Sequence, residues 1–189
     1  MNLESNKLIM PNWINIHTII FDFDGIFTNN KVYVRDDGRE TILCSRGDGL
    51  GINLLNAFIK KNNWKLDYFI LSKEKNNVVK ERAKKMNLKC FSGIDNKIEF
   101  INNYAKRKYK DINKFKNWLI YLGNDLNDLA AIRFSNFSVV PKDAHPLIQK
   151  YASKVIEVNG GDDFVRKFIE ELIHLEDLDP NEICSLLSK

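Results

Sequence analysis

Two carboxylates one residue apart, Asp22 and Asp24, close an apolar run and are followed by a glycine, Phe21-Asp22-Phe23-Asp24-Gly25. In an extended segment residues i and i+2 point to the same side. Both acids can therefore serve one reacting group, the first as nucleophile, the second as proton donor to a leaving oxygen and then as base toward water. The pair suits a plain turn at a strand end equally well. Further features fall in order along the chain: Ser72 after Tyr68-Phe69-Ile70-Leu71, Lys97 after Ser92-Gly93-Ile94-Asp95-Asn96, and Gly123-Asn124-Asp125-Leu126-Asn127-Asp128 after Leu119-Ile120-Tyr121-Leu122. A hydroxyl beside backbone amides can hold a phosphate oxygen, an ammonium can neutralise a transferring phosphoryl group, and the Asn-Asp loop offers the hard oxygens Mg²⁺ prefers. We expect Asp22, Asp24, Ser72 and Lys97 to be catalytic. A Mg²⁺ site is expected from Asp22, Asp24, Asn124, Asp125 and Asp128, the last either a ligand through water or the partner that orients Lys97. Bland readings stand beside these: Ser72 as an N-cap ahead of Val78-Val79, the Asn-Asp run as a helix cap, and Lys97 as one lysine among many.

The elements that must position these groups follow from periodicity. Ile16 to Phe21, Leu66 to Leu71, Cys90-Phe91, Leu119 to Leu122, Phe137 to Val140 and Val155 to Val158 read as buried strands. Helices are expected over Leu50 to Ile59, Val78 to Met86, Ile98 to Arg107, Leu126 to Phe134, Ala144 to Tyr151 and Phe164 to His174. Strand and helix alternate, so the fold class is α/β: a Rossmann-like, mostly parallel sheet with helices on both faces. Between Ile26 and Leu43, Asp36-Asp37-Gly38 separates two alternating runs, the mark of a protruding hairpin. That ribbon and the short interval before Lys97 leave no room for a large cap domain. Residues 1–189 should form one domain, with a core over about 16–173 and a tail from 174 to 189.

Composition removes several function classes. The longest apolar windows fall far short of a membrane span and residues 1–12 lack the layout of a secretion signal, so a cytoplasmic protein without membrane contact is expected. Cys44, Cys90 and Cys184 are odd in number and form no CxxC pair, which argues against a disulfide framework or a zinc site. The net charge of +4 comes from scattered lysines, as in Lys80 to Lys85, and Tyr104, Tyr109 and Phe115 read as the apolar side of a helix and its connection. Nucleic-acid binding would need a basic stripe with stacking aromatics; a small phosphorylated substrate suits this charge better.

The ordered set Asp22-x-Asp24, Ser72, Lys97 and Asn124-Asp125-x-x-Asp128 resembles the haloacid dehalogenase (HAD) superfamily of aspartate-nucleophile phosphatases. More narrowly, Asp24-Gly25-Ile26-Phe27-Thr28, Gly47-Asp48-Gly49-Leu50-Gly51-Ile52, Leu71-Ser72-Lys73-Glu74-Lys75-Asn76, Asp143-Ala144-His145-Pro146 and Gly160-Gly161 resemble the branch of 3-deoxy-D-manno-octulosonate (KDO) 8-phosphate phosphatases. That branch includes sialate-type 9-phosphate phosphatases and the phosphatase domain fused to bacterial acylneuraminate cytidylyltransferases, and the resemblance covers about residues 16–173. It implies a Mg²⁺-dependent hydrolase working through an aspartyl phosphate, and a homotetramer in which the hairpins associate. It also implies substrate contacts at Thr28, Lys73 and Arg166. Arg46, Asp48 and His145 are further candidate sugar contacts, although His145 before Pro146 also suits a helix start. The Ser72 to Asn76 run and Gly123-Asn124-Asp125 resemble the sialate-type members, so a nonulosonate 9-phosphate is the preferred substrate. KDO 8-phosphate and a non-catalytic oligomerisation module are the alternatives. The chain departs from the branch at Asn124, where many relatives have Asp, at Asn29-Asn30, and at Asp163 and Lys167 around the retained Arg166.

Overall fold

The computed structural model describes residues 9–109 and 111–188; the beginning of the N-terminal lead-in, residues 1–8, lies outside the described residues. Six parallel strands form one sheet: β1 (Thr18–Phe21), β4 (Asp67–Leu71), β5 (Lys89–Phe91), β6 (Leu119–Leu122), β7 (Phe137–Pro141) and β8 (Lys154–Ile156), in the spatial order β5-β4-β1-β6-β7-β8. Counted along this sheet alone the order is the doubly wound 3-2-1-4-5-6, and its direction reverses between β1 and β6. The registers Phe21↔Ile70 and Phe21↔Leu122 align the ends of β1, β4 and β6, so the loops that follow them open on one edge.

Period-two alternation assigns the two faces. Ile19 and Phe21 join the core that holds Ile52, Leu55, Val79, Phe168 and Leu172, whereas Ile20 joins the core that holds Ile101, Phe115, Ile132 and Ile148. The first face is covered by α1 (Arg46–Asn62), α2 (Asn77–Lys85), α7 (Phe164–Leu172) and α8 (Pro180–Leu187). The second is covered by α3 (Lys97–Tyr109), α4 (Ile112–Asn117), α5 (Leu129–Phe134) and α6 (Pro146–Tyr151). The tail is no loose appendage: α8 buries Leu186 and pairs Glu182 with Lys61 of α1 at 2.7 Å. Among the described residues no large cap domain interrupts the fold.

Two expectations change. Helix α4 was not foreseen, because six Lys-rich residues are too few to be stable alone. It forms because Phe115 is fully buried, worth about 1.5–3 kcal/mol, and because Asp111 accepts the N–H groups of Asn113 and Lys114. The hairpin is shorter than the span from Ile26 to Leu43. Its strands, β2 (Tyr33–Val34) and β3 (Glu40–Thr41), pair in the register Tyr33↔Thr41, while Ile26 and Phe27 are fully buried in the turn after β1.

Candidate active site

The loops after β1, β4 and β6 enclose a cleft of about 630 Å³, lined by Asp22, Asp24, Ser72, Lys73, Asn124 and Asp125 among others. Asp22 leaves the sheet still hydrogen-bonded to it, its N–H donating to the Leu122 carbonyl at 2.8 Å. The chain then turns at Gly25, which has φ +78° and faces Asn124 so closely that a Cβ would lie 1.9 Å from the Asn124 amide nitrogen. Only glycine lets the acidic turn and the Asn-Asp loop approach this far. Thr28, buried beneath, ties the turn together: its Oγ1 accepts from the N–H of Gly25 and of Asn30, each at 3.1 Å, and donates weakly to Asp24 at 3.5 Å.

Under the cleft floor Lys97 Nζ lies 2.7 Å from Asp22 Oδ1 and 2.7 Å from Asp128 Oδ1, with its side chain 3% exposed. Two carboxylates thus share one ammonium in a buried setting. Burial and the charge of Asp128 push the Asp22 carboxyl up to about 8, against the lowering pull of Lys97. Burial works to lower the Lys97 ammonium, but Asp22 and Asp128 outweigh it and the net shift is upward. Asp24 is also raised, by burial first and then by the neighbouring Glu74. The cleft therefore gathers two carboxyls whose charged forms burial disfavours, and a bound cation would favour those charged forms.

The donor set fits Mg²⁺. Asp22, Asp24, Asn124 and Asp125 line one cleft with oxygen-bearing side chains, although among the described residues no group of three or more His, Cys, Asp or Glu is already gathered closely enough to hold a metal ion. Asp128 is different. It is fully buried, Oδ1 accepts from Lys97 and from Tyr121 Oη at 2.6 Å, and Oδ2 accepts from the N–H of Asn124 at 2.9 Å and of Asp125 at 3.3 Å. With both oxygens engaged it orients Lys97 and shapes the Asn-Asp loop, the second of its two expected roles, and is not a direct metal ligand.

Several expected contacts are placed elsewhere. Ser72 does not cap the following helix, which is capped by Asn76; its Oγ accepts the Glu74 N–H at 3.0 Å and remains on the cleft, as does the exposed Lys73. Thr28 lies behind the acidic turn rather than on the cleft surface. Asp48 is 1% exposed and accepts the Arg166 N–H at 3.0 Å, so it caps α7 from α1 instead of meeting a sugar. Arg166 pairs with Glu170 at 2.8 Å. Arg46 opens on a separate hollow beside Arg82 and Lys85. His145 is the N-cap of α6, its Nδ1 accepting the Leu147 N–H, so the helix-start reading holds.

Two residues at the site were not among the expected site residues, although Asn30 was noted as a departure from the branch. Tyr121 sits in an otherwise aliphatic strand and is fully buried; a buried tyrosine needs a partner for its hydroxyl, and that need was the available signal. Asn30 lines the cleft in the left-handed region, φ 60°, a conformation asparagine tolerates better than most residues.

No family model matches the chain. It is 27% identical over 167 residues to the 3-deoxy-D-manno-octulosonate 8-phosphate phosphatase of Salmonella typhi, covering 87% of this chain and 83% of that protein. The phosphatase of the same name from Escherichia coli K12 is 27% identical over 161 residues, 84% of this chain and 80% of that one. Among solved structures, a Streptomyces avermitilis protein assigned to the HAD family of hydrolases superposes with a TM-score of 0.75 at 32% identity, covering 87% of this chain and 94% of that one. The Moraxella catarrhalis 3-deoxy-D-manno-octulosonate 8-phosphate phosphatase, solved with magnesium, phosphate and KDO, gives a TM-score of 0.75 at 22% identity over 92% of each chain.

Proposed function

The chain belongs to the HAD family of hydrolases, and we propose that it is a Mg²⁺-dependent phosphatase that hydrolyses 3-deoxy-D-manno-octulosonate 8-phosphate through an aspartyl phosphate on Asp22. The observation that carries the reading is the Asp22–Lys97–Asp128 contact, both links 2.7 Å, at the floor of a cleft that also holds Asp24 and Asn124. Relatives of that name, matched over most of both chains, support the eight-carbon acid as substrate. Among the sequence expectations the nine-carbon acid stood first; the eight-carbon acid now replaces it.

In the first step a carboxylate oxygen of Asp22 attacks phosphorus, the bond to the sugar oxygen breaks, and Asp24 gives its proton to that oxygen. The raised affinity of Asp24 for a proton suits a donor. In the second step Asp24, now a carboxylate, takes a proton from water, which attacks phosphorus and returns Asp22. Lys97 holds the Asp22 carboxylate in place and offsets the charge of the transferring group, and the Ser72 hydroxyl donates to a phosphate oxygen. A Mg²⁺ ion would be held by the side chains of Asp22, Asn124 and Asp125, with Asp24 contributing through its main-chain carbonyl so that its carboxyl keeps the proton, and would supply charge neutralisation for the transferring phosphoryl group. With Asn124 in place of a carboxylate, its affinity is lower than for a site that carries an acid at that position as well.

The cleft has no cap, and the ribbon beside it leaves Val32, Tyr33 and Val34 51%, 68% and 66% exposed. A homotetramer with associated ribbons covers both the apolar surface and the cleft mouth. The nine-carbon substrate remains the second reading, favoured by the run Ser72-Lys73-Glu74-Lys75, which lines the cleft. Phosphate release from both sugar acid phosphates, measured with Mg²⁺ and with a chelator, separates the cases. The reading predicts chelator-sensitive turnover with the eight-carbon ester preferred; preference for the nine-carbon ester selects the second reading, and no turnover of either contradicts both.

A further inference from the structure

Four loops close a ring around the acidic turn. Gly25 abuts the side chain of Asn124, the Asn124 carbonyl accepts the His145 N–H at 2.8 Å, and Asp143, two residues earlier, accepts the Gly160 N–H through Oδ1 at 2.9 Å. Gly160 completes the circuit by lying on the Gly25 carbonyl, so close that a Cβ at Gly160 would come within 1.9 Å of that oxygen. The adjacent Gly161 N–H donates to the Ile26 carbonyl at 3.1 Å and continues the contact along the turn. The loops following β1, β6, β7 and β8 are thereby linked into one frame.

Asp143 holds the joint most open to perturbation. Its carboxylate is exposed, does not line the cleft, and has no part in the proposed reaction, yet it satisfies an N–H of the buried Gly160. Without that acceptor the buried N–H is orphaned, which favours retreat of the Gly160-Gly161 loop toward water. The turn bearing Asp24 would then lose the surface pressed against its carbonyl. Glycine at position 25 offers no side chain to hold the turn in its place.

We propose that Asp143 is a positioning residue that fixes Asp24 relative to Asn124 by clamping Gly160 onto the Gly25 carbonyl. The proposal rests on the phosphatase reading for its kinetic consequence, and on geometry alone for its structural one. Small displacements at a reacting centre are costly, of the order of 10²-fold in rate for about 1 Å. Partial release of one joint in a frame of four is expected to cost about tenfold in kcat.

The test compares the parent with Asp143→Ala and Asp143→Asn, using p-nitrophenyl phosphate as substrate so that sugar contacts play no part. Hydrogen–deuterium exchange of the peptide over residues 22–30 is followed in the metal-free protein. The expected result is a roughly tenfold lower kcat with KM within about twofold for Asp143→Ala, with faster exchange in that peptide. Asp143→Asn, which keeps the acceptor oxygen, should return both to near the parent values. Unchanged kcat and exchange in Asp143→Ala overturn the proposal, as does a loss shared equally by Asp143→Asn. A lowered melting temperature with kcat intact overturns it too, since that is a merely structural role. If the parent itself releases no phosphate the phosphatase reading falls, and the exchange comparison alone decides whether the clamp exists.

Discussion

Replacing Tyr121 with Phe removes one oxygen from the interior and nothing else. The ring stays in the face of the core built by Phe69, Tyr104 and Phe115, so the packing term largely cancels. What is lost is the 2.6 Å hydrogen bond from Tyr121 Oη to Asp128 Oδ1, both groups fully buried and water excluded. A hydrogen bond to a charged group contributes about 1.5–3 kcal/mol. For a chain of this size each kcal/mol shifts the melting temperature by about 2–4 °C, so Tyr121→Phe should melt roughly 3–12 °C below the parent. The functional effect is smaller but of known direction. Asp128 Oδ1 keeps only Lys97, which draws the ammonium away from Asp22, and kcat should fall by about threefold to tenfold at unchanged KM. Thermal unfolding by circular dichroism and steady-state phosphate release measure the two effects on one preparation. A variant as stable and as active as the parent would show that Tyr121 does not support the Asp128–Lys97 pair, and the assignment of Asp128 as an orienting group would fail with it.

Removing the cation itself is harsher: Lys97→Met leaves Asp22 and Asp128 buried without a shared partner, and breaking a buried pair costs about 3–5 kcal/mol. Chemical denaturation should show that loss, and phosphate release should be abolished. The Asp22 carboxyl, pushed up to about 8, is protonated below that pH in the metal-free protein, and a metal must displace the proton. Mg²⁺ affinity measured calorimetrically should therefore weaken by up to about tenfold per unit as pH falls below 8; a flat profile contradicts this. Asp48 is raised from 3.8 to about 7, burial being the main cause, so the folded state binds its proton more tightly than the unfolded chain does. The Asp48 contribution to stability is then greatest at low pH and is lost as pH rises from about 4 to 7, by at most about 4 kcal/mol for three units. Asp48→Asn, which retains an acceptor for the Arg166 N–H, should lack that decline when melting curves at pH 5 and pH 8 are compared with those of the parent.

Asp22, Asp24 and Ser72 were legible as candidates because each sits in a short run at a strand end, where burial on one side and polarity on the other are written within a few residues, whereas Lys97 opens a helix, α3. The sheet was legible for the same reason, and Leu119–Leu122 was expected over the residues it occupies. What stayed hidden depends on distance along the chain. Asp48 and Arg166 are 118 residues apart, and nothing local marks the first as a cap for the helix of the second. Arg46, Thr28 and His145 carry polar groups beside functional motifs, yet the fold turns each to a neighbouring backbone or to a different hollow. Tyr121 was missed because its strand is read by hydropathy, which records the ring and ignores the hydroxyl. Helix α4 was missed because burial of Phe115, a tertiary effect, outweighs a weak local preference.

The central claim is that a phosphoryl group passes through Asp22. Borohydride added during turnover of the sugar acid phosphate reduces an acyl phosphate to the alcohol, so mass spectrometry of the peptide spanning residue 22 reads the intermediate directly. The account predicts homoserine at position 22 in the parent protein, dependent on substrate and Mg²⁺, and none in Asp22→Asn, which should release no phosphate. Phosphate release at the parent rate from Asp22→Asn, or steady turnover with the peptide never modified, would contradict it.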